Sequence, residues 1–74
     1  MFVGFEINKG DKLEFDYMNQ AGIVGKRVAV VQRVCFGSTE WHPDAGVLIE
    51  AIDSEKNVTR YFYAMDMTDI KKVD

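Results

Sequence analysis

From Lys12 onward the chain alternates apolar and polar residues with a period of two, and turn-forming residues break the pattern at short intervals. In Lys12–Met18, Leu13, Phe15 and Tyr17 share one side while Lys12, Glu14 and Asp16 share the other. Such alternation marks a strand with one face buried and one face wet. Residues 26–36 are rich in β-branched side chains, with Val28, Val30, Val31 and Val34. In 47–52, Val47, Ile49 and Ala51 oppose Leu48, Glu50 and Ile52. In 58–64, Val58, Arg60, Phe62 and Ala64 oppose Thr59, Tyr61 and Tyr63. Turn signals lie at 8–11, 19–22, 37–39, 43–46 and 53–57, each rich in Asn, Asp, Gly, Ser or Pro. The pair 47–52 and 58–64 is expected to form a hairpin. Residues 65–68 suit a single 3-10 turn and 69–73 a short last strand.

The expected fold is therefore all-β, with five to six antiparallel strands and little or no helix. At 74 residues the chain is expected to be one domain, 1–74, near the size at which only about 60% of the unfolded surface is buried. A flat sheet of that size leaves exposed edges, and closing it into a small barrel removes most of them. A hydrophobic content of 47% keeps the chain away from the disordered class. Cys35 is the one cysteine, so no internal disulfide framework can form, and its place between Val34 and Phe36 suits a buried, inert thiol.

Charge narrows the function classes. Nine Lys and Arg against twelve Asp and Glu give −3, which argues against bulk, non-specific nucleic-acid binding. The balance is uneven, at +1 over residues 1–37 and −4 over 38–74, and no acid lies between Tyr17 and Thr39. No signal-peptide core and no spanning apolar run is visible, so a cytoplasmic protein with no membrane role is expected. Asn57-Val58-Thr59 fits a glycosylation acceptor and is read as chance.

Candidate chemistry is sparse. No nucleophile–base set, phosphate-cradling Gly-rich loop or spaced carboxylate pair occurs, so a non-enzyme without a cofactor is expected. Glu40, His42 and Asp44 lie at i, i+2 and i+4 and could hold a divalent metal, but a turn fixed by a backbone hydrogen bond of His42 is the favoured reading and no metal is expected. Arg27, Arg33 and Arg60 are the better candidates, because a guanidinium fork suits phosphate or carboxylate. Arg60 shares the apolar side with Phe62, so it needs either an internal partner among Glu50, Asp53 and Asp66 or an anionic ligand. Trp41, Tyr61 and Tyr63 could stack on bases, with the two tyrosines expected as an outward pair that could also meet a second subunit.

The run Phe36-Gly37-Ser38-Thr39-Glu40-Trp41-His42-Pro43-Asp44, followed by Val47-Leu48-Ile49-Glu50-Ala51-Ile52-Asp53 and by Arg60-Tyr61-Phe62-Tyr63-Ala64-Met65-Asp66-Met67, resembles short bacterial and phage proteins with a WHP…LLEA-D…R-F-ALKDI pattern. That group is similar to the WYL domain, an Sm-like, SH3-type barrel, and the likeness spans about residues 11–73. The resemblance puts the Trp-Tyr-Leu triplet, altered here, on Val47, Leu48 and Ile49. It puts the R-x-F element on Arg60 and Phe62, the terminal D-I on Asp66 and Met67, and a basic strand residue on Arg27. It implies a ligand-binding, regulatory module for an anionic ligand such as a nucleotide or single-stranded nucleic acid. No helix-turn-helix accompanies it. The alternative is a phage or mobile-element protein that inhibits a host protein, for which Glu40, Asp44, Glu50, Asp53 and Glu55 would gather on one side.

Overall fold

A computed structural model describes residues 6–19, 21–39 and 43–73. The strands are β1 (Lys12–Met18), β2 (Val24–Gly37), β3 (Gly46–Asp53), β4 (Val58–Tyr63) and β5 (Met67–Val73), with a 3-10 turn at Ala64–Asp66 between β4 and β5. They form one antiparallel sheet in the order β4-β3-β2-β1-β5. The all-β expectation holds, and β1 has the bounds its alternation gives. The barrel is not closed: β4 and β5 stand at the two edges, and no ladder joins them among the described residues.

The open sheet nevertheless wraps around its inner face. β2 is 14 residues long, and it pairs through its first half with β1 and through its second half with β3. Between them the register shifts by one residue at Gln32, which leaves Gln32 without a cross-strand partner. Such a bulge bends a strand and increases its twist. A second register shift, between Glu14 and Asp16, sets Asp69 of β5 in the left-handed region at φ 52°. In a flat sheet β1 and β4 would lie three strand spacings apart, about 14 Å. Yet the Phe62 ring of β4 packs edge-on against Phe15 and Tyr17 of β1, with centroids 5.0 and 5.1 Å away. The N–H of Tyr63 also donates to the Tyr17 hydroxyl at 3.0 Å.

The core fills this wrapped face. Leu13 and Phe15 of β1, Ala29 and Val31 of β2, Ile49 and Ala51 of β3, Phe62 of β4 and Met67 of β5 are buried together, and Ile7 joins them from the segment before β1. Two turns hold the strand ends. The Asn19 side-chain oxygen accepts the N–H groups of Ala21 and Ile23, while Gly22 takes φ 80°, where a side chain would be strained. At the β3–β4 turn Asp53 does the corresponding work, and that turn positions the candidate site.

Candidate functional site

Asp53 ends β3 on the inner face, in line with Ala51 and Ile49, and is only 3% exposed. A carboxylate so placed must be paired. One oxygen, Oδ1, accepts the N–H groups of Glu55 at 2.9 Å and Lys56 at 3.2 Å, an Asx turn that starts the reversal into β4. The turn is completed by Asn57 at φ 56°, whose N–H donates to the Asp53 carbonyl at 2.7 Å. The other oxygen, Oδ2, faces two guanidiniums. Arg60 Nε lies 3.2 Å away and Arg27 Nη1 3.8 Å away.

The register explains this meeting. Asp53 stands opposite Ala29 in β2 and Val58 in β4. Arg27 lies two residues before Ala29 and Arg60 two residues after Val58, so both are diagonal neighbours of Asp53 on one face. Their side chains remain 31% and 38% exposed. The contact of Arg60 is one of charge to charge: Nε is buried and makes no hydrogen bond among the described residues, since its N–H is not aimed at Oδ2. Burial alone would raise the Asp53 carboxyl. The N–H groups of Lys56 and Glu55, with Arg60 and Arg27, outweigh it and hold the group below its ordinary 3.8. The charge of Arg27 also acts on Tyr17. Burial raises its hydroxyl above 10.0, against the N–H of Tyr63, while Asp66 raises it further and Arg27 lowers it.

Arg33 is not part of this cluster. Arg27 and Arg33 are six residues apart, which in a regular strand would put both on one face. The bulge at Gln32 reverses that, turning Arg33 outward and Val34 onto the core. Outside, Arg33 lies in one row with Glu50 and Tyr61. Glu50 Oε1 is 3.2 Å from Arg33 Nε and accepts the Tyr61 hydroxyl at 2.7 Å. The Tyr61 bond and then the Arg33 bond lower the Glu50 carboxyl, and the Glu50 bond leads the upward shift of Arg33.

The two tyrosines also part company. Both sit on the outer side as the alternation requires, but Tyr61 is 50% exposed and Tyr63 only 8%. Tyr63 lies across Gly46, and its hydroxyl donates to the Asp44 carbonyl at 3.3 Å. It is thus packing, not an open stacking platform. Trp41, Glu40 and His42 lie outside the described residues. Among the described residues no three His, Cys, Asp or Glu side chains gather to hold a metal. The acids of the second half do not share a side either: Glu50 faces outward and Asp53 inward, each engaged with arginine.

Two residues of the site were passed over in the sequence, Asp53 as more than a salt-bridge partner and Tyr17. The signal for Asp53 was present, an acid at an inward position just before Ser54-Glu55-Lys56-Asn57. Comparison with protein-family models, curated proteins and solved structures finds no match. No helix among the described residues is long and apolar enough to cross a membrane.

Proposed function

We propose that the protein is a small, non-enzymatic binding module of WYL-like type that works in the cytoplasm and takes an anionic ligand, a nucleotide or a short single-stranded nucleic acid. The observation that carries the reading is the meeting of Arg27 and Arg60 at one carboxylate. Two guanidiniums against Asp53 leave a local +1 on a chain whose formal charge is −3. Each carries several N–H donors, and the Arg60 Nε that lies 3.2 Å from Asp53 makes no hydrogen bond among the described residues, so donors remain for a phosphate oxygen. One such site does not require a basic protein. Arg33 and Tyr61 belong to a separate outer surface whose charge is already met by Glu50. The resemblance in Arg60-x-Phe62 points the same way and is the weaker support.

Amide NMR titration with AMP, a cyclic nucleotide and a short oligothymidylate tests the reading. Shifts are expected at Arg27, Asp53 to Asn57 and Arg60, and they should vanish in the double variant Arg27→Gln/Arg60→Gln. Wild-type spectra unmoved at millimolar ligand would end it.

A further inference from the structure

Resting on the anion-binding reading, we infer that Asp53 sets the affinity of the arginine pair by acting as its built-in anion, so that an incoming ligand shares Arg27 and Arg60 with it. The geometry carries this. Asp53 splits its work between its two oxygens: Oδ1 holds the β3–β4 turn and Oδ2 alone meets the guanidiniums. Oδ2 sits where both arms converge, within 3.8 Å of each. Any anion held by the outward N–H groups of that pair lies close to a like charge that is itself 3% exposed and poorly screened by water. Neither guanidinium is clamped in a two-bond fork with Asp53, so both can turn toward a ligand without losing a strong bidentate pair.

The groups that face Asp53 come from three directions. Arg27 approaches from β2, Arg60 from β4, and the N–H groups of Glu55 and Lys56 from the turn. The charges of Arg27 and Asp66 also act on the Tyr17 hydroxyl, in opposite directions. Asp53 is therefore a positioning and affinity-setting residue, distinct from the arginines that touch the ligand.

Asp53→Asn separates its two tasks. The amide oxygen can still accept the Glu55 and Lys56 N–H groups, while the negative charge is gone. Calorimetric titration with AMP at neutral pH should find the variant binding about tenfold more tightly than wild type even though its melting temperature is lower. A purely structural role would lower both. Adenosine, which lacks the charge, should bind the two proteins alike. A second measurement needs no variant. Linkage is reciprocal, so if the Asp53 charge opposes AMP, saturating AMP must raise the pKa of Asp53, read from its side-chain carbon in an acid titration.

Equal or weaker AMP binding by the variant, or an Asp53 titration unmoved by AMP, overturns the inference and leaves the anion-binding reading standing. Binding by Asp53→Asn alone supports the inference and removes the reading for the natural chain. Failure of both proteins to bind AMP overturns both.

Discussion

At the scale of single residues, Asp53 and Gly46 carry the most specific consequences. Asp53→Ala removes the acceptor of two turn N–H groups and leaves two arginines facing each other. A loss of about 1–3 kcal/mol is expected in denaturant titration. The acid dependence follows from the same contacts. The folded Asp53 carboxyl titrates below its ordinary 3.8, and Asp11 and Glu50 are likewise lowered, Asp11 chiefly by the Asn8 N–H and Glu50 by Tyr61. Groups with a depressed folded pKa stabilise the fold fully above the unfolded value and lose that contribution as pH falls through the folded one. Stability should thus be flat from neutrality to about pH 5 and fall below about pH 4, and Asp53→Asn should flatten part of that fall. At Gly46 a Cβ would stand 2.5 Å from the Tyr63 hydroxyl and 2.7 Å from the ring carbon bearing it. Gly46→Ala must displace that ring, at about 1–3 kcal/mol. The same substitution made in a Tyr63→Leu background should cost much less, and an equal cost in both would show that Tyr63 does not rest on Gly46.

At the scale of elements, the strand edges decide how far the sheet remains open to pairing. Alternate residues of an antiparallel strand point both backbone groups to the same side. Tyr63 donates its N–H to Tyr17, away from β3, so along β4 the backbone groups of Thr59 and Tyr61 point to that same side. On the other edge β5 carries the Asp69 kink and the charged pair Lys71 and Lys72. Short reach, a bulge and lysines are recognised ways of blunting an edge. The Tyr17 hydroxyl is the tie between β1 and β4. Tyr17→Phe keeps the ring against Phe62 and removes the hydroxyl that accepts the Tyr63 N–H, which should cost about 1–2 kcal/mol and speed amide exchange at Tyr63. Unchanged exchange there would show that the tie does not hold β4. The same elements explain what was legible in advance. Alternation gave the strands, because sidedness is written residue by residue. The bulge at Gln32 was not legible, since Val31-Gln32-Arg33-Val34 alternates acceptably in either register and only packing on β3 chooses between them. That one shift separated Arg33 from Arg27. The burial of Tyr63 was hidden for a related reason: parity names the side of a sheet, and says nothing of whether a loop folds over it.

At the scale of the molecule, 74 residues leave a small margin. At about 0.05–0.15 kcal/mol per residue, the whole fold is stable by roughly 4–11 kcal/mol. The sheet is open, so closure by hydrogen bonds between β4 and β5 does not hold its curl. Aromatic packing across the inner face does: Phe62 reaches Phe15 and Tyr17 over two intervening strands, and Phe15 meets Tyr17 edge-on at 6.3 Å. Arg60 sits two residues before Phe62 on the same face, so the curl that brings β4 over β1 also carries Arg60 to Asp53 beside Arg27. Phe62→Ala should cost about 3–5 kcal/mol, a large part of the total, and should abolish the cooperative thermal transition or bring it near room temperature. Phe62→Leu keeps most of the volume and should retain the transition at a cost below about 2 kcal/mol. Phe36→Ser is the matching control, because Phe36 is exposed beyond the core, and it should stay within about 0.5 kcal/mol of wild type. A Phe62→Ala protein that melts like the Phe36→Ser control would mean that the wrapped inner face does not hold the sheet. The arginine pair would then owe its geometry to the β3–β4 turn alone.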